Sequence, residues 1–319
     1  MNTTSEVPLH VVFGAGQVGD PLARILLAAG CRVRVVRRSS RPVADGAEQA
    51  AGDATDPAFC ADAASGAAVV YHCMNPAYTT SEWGRLIPLY MENLITAAAR
   101  SGARLVVLDN LYMLGRPGGR PMNEDTPIQP CSRKGEIRAR AATRLFEAHA
   151  RGAVRATMAR ASDYYGPGGT MTHLGDVFWK DVVAGKPGPM LLDPDAVHTY
   201  HYVPDVAAGL AAIGLAKDDV TGRPWMLPCA PAGTARDLVG RLSLALGREI
   251  RIAAMPALMR RAAGWFIPML REIEEMMYQW AEPFVVDDRR FRERFPVRPA
   301  NPEAAARATV DWARVHYAR

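Results

Sequence analysis

The fold class is decided by one stretch near the start of the chain, Leu9-His10-Val11-Val12-Phe13-Gly14-Ala15-Gly16-Gln17-Val18-Gly19. Its first five residues form a short apolar run, which is typical of a buried strand. The glycines then follow the spacing Gly-x-Gly-x-x-Gly, and residues 20–29 are predicted to be a helix that Gly30 would end. A glycine turn between a strand and a helix predicts a site where backbone N–H groups bind a diphosphate.

Each residue of this glycine turn has a physical task. Gly14 permits the tight turn, Gly16 lets the backbone approach a pyrophosphate, and Gly19 lets the helix pack closely against the strand. The N-terminus of the helix adds free N–H groups and a partial positive charge. We therefore expect Gly14, Gly16, Gln17, Val18 and Gly19 to bind a dinucleotide cofactor. The alternative is a plain glycine-rich connection without a ligand.

The end of the second predicted strand, residues 32–36, indicates which dinucleotide is bound. An acidic residue there would hold the ribose 2′-hydroxyl of NAD, whereas arginine suits the 2′-phosphate of NADP. The chain has Arg37-Arg38-Ser39-Ser40 and no acid at this point. A guanidinium group binds phosphate oxygens bidentately, so Arg37 and Arg38 predict NADP, with NAD as a possible substitute. Two solvated arginines in an arginine-rich protein are the alternative.

Further cofactor contacts are expected at the ends of two later segments. Asp53 and Ala54 come just before the next predicted helix, where Asp53 would accept a hydrogen bond from the adenine amino group. Asp56 would instead cap that helix. Cys73 ends the strand predicted over residues 68–73 and lies at the same edge of the sheet as the glycine turn.

Strand-like and helix-like runs alternate along the first half of the chain. Strands are also predicted over residues 104–108 and 154–159, and helices over 86–99 and 137–150. Repeated strand–helix–strand units predict an α/β fold, a Rossmann-type doubly wound parallel sheet covered on both faces.

Glycine and proline become frequent from about residue 166, and the later helices are predicted over residues 205–217, 235–246, 271–280 and 302–314. These helices are less regularly interleaved with strands than those of the first half. We expect a dinucleotide-binding domain over residues 1–167, with some later segments returning to it. Residues 168–319 would form mainly a smaller, C-terminal substrate lobe.

The composition is that of an ordinary globular protein. Apolar residues make up 49% and charged residues 22%, which excludes wholesale disorder. The net charge is +5, but no block of like charges is longer than a pair. Proteins that bind nucleic acids concentrate basic residues on one face or stripe, so we expect no nucleic-acid partner.

Cysteine and histidine patterns predict neither a disulfide framework nor a metal site. The five cysteines include no Cys-x-x-Cys pair, and the seven histidines include no His-Glu-x-x-His motif. Residues 1–8 are short and polar, unlike a signal peptide, and the apolar stretch 206–216 is too short to span a bilayer. A cytoplasmic protein with reduced thiols and no membrane association is expected.

Several motifs together resemble the extended short-chain dehydrogenase/reductase family, the NAD(P)-dependent epimerase/dehydratase group. The resemblance covers nearly the whole chain and rests on the glycine turn, Gly52-Asp53, Pro127 to Arg138, Tyr164-Tyr165-Gly166-Pro167 and Tyr202-Val203-Pro204-Asp205-Val206-Ala207. It implies a Rossmann lobe, a substrate lobe and reversible hydride transfer at a carbonyl or secondary alcohol of a small molecule. Helices 86–99 and 137–150 resemble the pair through which the family forms homodimers.

The chain departs from this family at its catalytic positions. Family members carry a Ser or Thr after the fifth strand and a Tyr-x-x-x-Lys on the next helix, whereas here the matching residues are Asn110, Lys134 and Arg138. Asn110 would donate a hydrogen bond to a developing alkoxide. Arg138 stays protonated and would bind and orient a ligand, so the proton donor would be either Lys134 or Tyr112. Lys134 would also contact the cofactor. Alternatively, Lys134 and Arg138 both point to water.

Four further side chains are candidates for contact with the substrate. Tyr78, Tyr164 and Tyr165 follow predicted strands at the carboxyl edge of the sheet, and His201 belongs to the second lobe. In open α/β sheets this edge holds the ligand, although packing alone would also explain each residue. The residues and the family resemblance together predict an NADP-dependent oxidoreductase or epimerase/dehydratase-type enzyme with an atypical proton donor. The competing hypothesis is a catalytically silent NADP-sensing protein of the same fold.

Overall fold

A seven-stranded parallel sheet forms the centre of the computed structural model, which describes residues 7–318. Its strands lie in the order β10-β6-β5-β4-β1-β2-β3, so the predicted Rossmann-type fold is confirmed. The strands along the chain are β1 Leu9–Phe13, β2 Arg32–Arg37, β3 Glu48–Ala51, β4 Ala67–His72, β5 Arg104–Asp109, β6 Arg155–Arg160, β7 Asp163–Tyr165, β8 Gly188–Met190, β9 Tyr200–Tyr202, β10 Pro224–Met226 and β11 Ile252–Ala254.

Helices cover both faces of this sheet and build most of the second lobe. They are α1 Gly19–Ala28, α2 Pro57–Ala63, α3 Thr80–Ser101, α4 Arg133–Ala150, α5 Asp176–Val183, α6 Val203–Leu215, α7 Ala235–Leu246, α8 Ala257–Ala263, α9 Pro268–Glu274, α10 Arg289–Arg294 and α11 Pro302–Tyr317, with short 3-10 turns at Tyr112–Leu114, Asp218–Val220 and Met277–Trp280.

The central strands are buried along almost their whole length because helices cover both of their faces. Every residue of β1 is buried, and β4, β5 and β6 are buried at all but one position each. Side chains of α2, α3 and α4 pack on one face, and those of α1 and α6 pack on the other. The strand β3 ends the sheet at one side and leaves most of its residues exposed, as expected for an edge.

The direction of chain progression reverses between β1 and β4, which are neighbours in the sheet. From β1 the chain moves to β2 and β3, whereas from β4 it moves to β5 and β6 on the other side. A crevice for a ligand opens outside the carboxyl ends of two such strands. The glycine turn after β1 and the segment after β4 face each other there, since Cys73 donates a backbone hydrogen bond to Phe13.

The second half of the chain builds a lobe over this edge and also returns to the sheet. Helices α5, α7 and α11 share one apolar cluster, and two parallel strand pairs, β7–β9 and β8–β11, extend the lobe. The strand β10 lies beside β6 and completes the seven-stranded sheet. Within residues 7–318, no helix is both long and apolar enough to cross a membrane.

The helix predicted over residues 271–280 was wrong as a single element. The chain forms α9 up to Glu274 and then a separate 3-10 turn over Met277–Trp280. The interruption lets the two segments contact different neighbours. Glu272 of α9 binds Lys134 of α4, whereas Trp280 of the 3-10 turn stacks on His198. Several strands of three or four residues were also missed, since they are too short to show a periodicity.

Candidate functional site

Two glycines of the turn are required by packing, and the third leaves room for a ligand. Gly14 has φ +106°, and a Cβ on it would lie 2.9 Å from the backbone of Cys73. A Cβ on Gly19 would lie 1.7 Å from the carbonyl oxygen of Gly14. In contrast, a Cβ on Gly16 would meet no atom within 4 Å. Packing does not explain Gly16, but close approach of a pyrophosphate does.

The polar groups of the turn also lack partners within the protein. The backbone N–H groups of Gly16, Gln17 and Val18 donate no hydrogen bond within the described residues, and α1 begins directly after them. The side-chain oxygen of Gln17 is buried without a hydrogen bond. Free donors at a helix N-terminus suit an anion, so these residues fit a diphosphate.

The two arginines after β2 have different surroundings. Arg37 donates from Nη1 to the carbonyl oxygens of Arg41 and Pro42, which ties it to its own loop. Arg38 is exposed and makes no hydrogen bond or ion pair within residues 7–318. The pKa of Asp53 is lowered, chiefly by the hydrogen bond from the Thr55 backbone and to a smaller extent by the positive charge of Arg38. Arg38 is therefore the arginine available to an anion.

The two carboxylates between β3 and α2 have separate roles. Asp53 accepts a hydrogen bond from the Thr55 backbone at 2.9 Å, which holds the connection between β3 and α2. Asp56 accepts one from the backbone of Ala58 and caps α2, so the predicted cap is confirmed. Ala54 is buried, and its carbonyl oxygen accepts from the amide of Asn93.

A polar and aromatic group lies at the carboxyl end of β5. The Asn110 side-chain oxygen accepts from the backbone of Tyr112 at 3.0 Å, and its amide nitrogen makes no hydrogen bond within residues 7–318. The hydroxyls of Tyr78 and Tyr112 are 3.3 Å apart, and the Tyr112 ring stacks on Trp83. Burial is the largest cause that raises the pKa of both tyrosines, so both hydroxyls stay protonated at neutral pH.

Lys134 lies at the family's tyrosine position and is fully buried in an ionic cluster. Its Nζ donates to the carboxylate of Glu272, to Glu275 Oε1 at 2.7 Å and to Thr80 Oγ1 at 3.1 Å. The same Nζ is 5.0 Å from the centre of the Tyr78 ring. Burial raises the pKa of Glu272, but hydrogen bonds from Lys134 and Thr80 outweigh it and leave this pKa below its ordinary value. The surroundings of Lys134 thus favour a fixed cation.

Arg138 lies one helical turn beyond Lys134 and is also paired. Its guanidinium is 3.1 Å from Asp109 Oδ1, donates to Asn75 Oδ1 at 2.6 Å and lies over the Trp83 ring. Burial raises the pKa of Asp109, and the positive charges of Arg138 and Arg160 oppose that rise. The Nε of Arg138 is buried without a partner, which suits a hydroxyl of a bound ribose.

The remaining candidates separate into two groups. Tyr164 is half-buried and close enough to Arg138 for the two to interact electrostatically, and Cys73 lies at the end of β4, where burial raises its pKa to about 12. Tyr165 and His201 are buried instead. The ring of Tyr165 packs against Tyr202, and both ring nitrogens of His201 have hydrogen-bonding neighbours in the protein, which favours structural roles.

Sequence reasoning missed two groups of residues near the site. Glu272 and Glu275, which hold Lys134, lie about 140 residues further along the chain and give no local signal. Asp163 contacts both His173 and His198 at the carboxyl edge of the sheet. The position of Asp163, three residues after the sixth strand, could have indicated it. Within residues 7–318, no group of three or more His, Cys, Asp or Glu residues could hold a metal ion.

Solved structures with this fold include several sugar-nucleotide enzymes. UDP-glucuronic acid 4-epimerase from Bacillus cereus with UDP-glucuronic acid and NAD is 15% identical, with a TM-score of 0.78 and coverage of 97% of this chain and 100% of that chain. UDP-glucose 4-epimerase from Thermus thermophilus with NAD is 20% identical, with a TM-score of 0.75 and coverage of 96% and 99%. A double mutant of dTDP-glucose 4,6-dehydratase from Streptomyces venezuelae with NAD is 19% identical, with a TM-score of 0.76 and coverage of 97% of each chain.

The family itself is established by sequence. No curated protein matches the chain. Residues 10–226 match the model of the NAD dependent epimerase/dehydratase family, which is more than half of the chain. The protein therefore belongs to the NAD dependent epimerase/dehydratase family and is an NAD(P)-dependent enzyme of the extended short-chain dehydrogenase/reductase type.

Proposed function

We propose that the protein uses NADP to transfer a hydride to or from a carbonyl or secondary alcohol of a small molecule, with a proton donor other than the family's tyrosine. The observation that carries the cofactor choice is Arg38, which follows β2 and makes no hydrogen bond or ion pair within the described residues. Arginine at this point of a Rossmann fold suits a 2′-phosphate, and no acid stands there to hold a 2′-hydroxyl.

The glycine turn and the residues around it would hold the other parts of NADP. The free N–H groups of Gly16, Gln17 and Val18 would bind the diphosphate, and Asp53 would face the adenine. Arg138 would direct its unpartnered Nε toward the nicotinamide ribose. The bound nicotinamide supplies or accepts the hydride at the substrate carbon.

The group after β5 would bind the substrate oxygen. The free amide nitrogen of Asn110 would donate a hydrogen bond to this oxygen as negative charge develops on it. Tyr112 keeps its proton and would donate a second hydrogen bond. Lys134 is already paired with two carboxylates and contributes by holding the two lobes together. Of the two predicted candidates, the surroundings favour Tyr112 over Lys134 as the group that donates a hydrogen bond to this oxygen.

A second candidate function is supported by the pairing of Lys134 and Arg138. Both positions of the family's Tyr-x-x-x-Lys motif hold buried basic residues, and each is paired with a carboxylate. A protein that binds NADP and turns nothing over would have this appearance as well. It would report the state of the cofactor to a partner through the lobe that contacts Lys134.

Calorimetry and a spectroscopic assay separate these functions. We expect NADPH to bind more tightly than NADH, and NADPH absorbance to fall when a suitable carbonyl compound is added. The panel includes aldehydes, ketones and the sugar nucleotides bound by the structural neighbours. Tight NADPH binding with no turnover would favour the sensor, and equal affinity for both cofactors would contradict the NADP assignment.

We further propose a cytoplasmic homodimer. All five cysteines are free, which suits a reducing compartment. The expected dimer contact is the outer surface of α3 and α4, where Arg144 of α4 pairs with Glu92 of α3. Light scattering tests this proposal, and a monomer at micromolar concentration would contradict it.

A further inference from the structure

We propose that His173, which lies beside the carboxylate of Asp163, exchanges the proton with the substrate oxygen during hydride transfer. The proposal rests on the proposed function and adds the acid–base residue that the changed Tyr-x-x-x-Lys motif lacks. The structural basis of the proposal is a cluster of Asp163, His173 and His198, which no sequence motif predicts.

Asp163 occupies a central position at the carboxyl edge of the sheet. It begins β7, three residues after β6 ends, and its charge helps to raise the pKa of both Tyr78 and Tyr112. The carboxylate is half-buried, and this burial raises its pKa, but the hydrogen bond from His198 and the nearby imidazoles outweigh the effect and leave the pKa below its ordinary value. Asp163 therefore stays charged beside the tyrosines of the candidate site.

His198 fixes one oxygen of Asp163 and has no nitrogen free for a substrate. Its Nε2 is 2.8 Å from Asp163 Oδ2, and its Nδ1 is 3.4 Å from the carbonyl oxygen of Gln279. Its ring is fully buried and stacks on Trp280 and Phe284. His198 thus positions the carboxylate, as a second partner does in other carboxylate–histidine sites.

His173 faces the other oxygen of Asp163 and keeps one nitrogen free. Its Nε2 is 3.5 Å from Asp163 Oδ1, and its Nδ1 makes no hydrogen bond within residues 7–318. The ring lies edge-on to Trp280 at 4.9 Å, and 24% of the side chain is exposed. A proton on Nε2 directed at a carboxylate leaves the Nδ1 lone pair available as a base.

The loop that carries His173 connects the two parts of the site. A Cβ on Gly168 would lie 3.8 Å from the carbonyl oxygen of Gln17, so the loop starts beside the glycine turn. The loop leads to His173, whose ring packs edge-on against Trp280. Trp280 belongs to the 3-10 turn that also contains Tyr278. Because the charge of Asp163 helps to raise the pKa of Tyr112, His173 beside this carboxylate lies near the aromatic group where we expect the substrate alcohol to bind.

The chemistry balances with the cofactor alone. In oxidation, Nδ1 of His173 would accept the proton of the alcohol O–H group, and the oxidised cofactor, when bound, would take the hydrogen of the C–H bond as hydride. In reduction, the protonated His173 would return that proton to the carbonyl oxygen, and the reduced cofactor would supply the hydride to carbon. Asp163 stabilises the imidazolium that forms in either direction.

The direct test replaces His173 and follows both binding and turnover. We expect His173→Gln to lower kcat by about 10²–10⁴-fold, the range of a general acid–base group, and to leave the Kd for NADPH unchanged. The charged or titratable groups that face His173 are Asp163 and His198, and burial leaves its pKa below the ordinary value. The oxidative rate should therefore fall on acidification through that pKa, and the variant should lose this dependence. His316→Gln on the exposed face of α11 is the matched control.

A second measurement does not depend on turnover. In protein labelled with ¹⁵N at histidine, the signals lost in His173→Gln assign the ring, which we expect to carry its proton on Nε2 and to shift when NADP⁺ is added. A ring protonated on Nδ1, a ring indifferent to NADP⁺, or a variant with unchanged kcat would each overturn the proposal. A wild-type protein that does not bind NADPH would instead contradict the proposed function.

Discussion

The buried lysine on α4 is the position where sequence and structure suggest different roles, and Lys134→Met separates them. Methionine fills a similar volume but leaves the carboxylates of Glu272 and Glu275 without their cation. Breaking a buried pair costs about 3–5 kcal/mol, and the lower end applies because each glutamate side chain is 23% exposed. At about 2.1 cal/mol/K per residue, the 319-residue chain has an unfolding entropy near 0.7 kcal/mol/K. A loss of about 3 kcal/mol therefore lowers Tm by about 4–5 °C.

Differential scanning calorimetry measures this shift, with Lys180→Met as the matched control. Lys180 is 65% exposed and lies 3.5 Å from Asp176, so its replacement should change stability by less than about 0.5 kcal/mol. Adding Glu272→Gln and Glu275→Gln to Lys134→Met should restore about half of the loss, because no unpaired charge remains. A Lys134→Met protein as stable as the control, or a triple variant no better than the single one, would refute the ion-pair reasoning.

Acidification tests the same cluster from the carboxylate side. The pKa of Glu272 lies below its ordinary value of 4.5 in the folded state. A lowered carboxyl pKa adds stability above the unfolded-state pKa, and that contribution disappears as pH falls through the folded-state value. Wild type should therefore lose more stability than Lys134→Met between about pH 5 and pH 3. Parallel losses in the two proteins would show that Lys134 does not lower this pKa.

Two further predictions concern the cofactor. Gly16→Ala should fold normally, since the added Cβ meets no atom within 4 Å of it. This variant should weaken NADPH binding at least about 10-fold. The control is Gly240→Ala, whose Cβ also lies in open space and which should leave NADPH binding unchanged. Arg38→Ala should weaken NADPH binding by about 10–100-fold, the value of charged hydrogen bonds, and should not affect NADH. Arg32→Ala, at the opposite end of β2, is its control. Calorimetric titration with NADPH compares each variant with its control. A control that weakens NADPH binding as much as its partner variant would contradict the cofactor role of Gly16 or Arg38.

The order of the main elements could be predicted because it depends on local sequence. β1, the glycine turn and α1 each have a local pattern, and so do the apolar strands β4 and β5, which helices cover on both faces. The boundaries of α7 were predicted to the residue, since Thr234 caps its start and Gly247 ends it.

The surroundings of the site residues could not be predicted, because their partners are remote in sequence. Nothing near Lys134 indicates that Glu272, 138 residues later, neutralises it. Likewise, Asp163 meets His198 35 residues away, and only the folded chain brings them together. A single sequence shows which residues have suitable chemistry, but not which of them tertiary contacts have already satisfied.

The return of β10 to the sheet makes the two halves of the chain depend on each other. A fragment that stopped near residue 167 would expose the hydrogen-bonding edge of β6 and would lack α6, which packs on α1. Such open edges invite aggregation. During synthesis on the ribosome, the sheet of the nucleotide-binding half therefore stays incomplete until residue 226 has emerged. A chimaera with a foreign substrate lobe would likewise have to keep strand β10 and helix α6 with their original sheet.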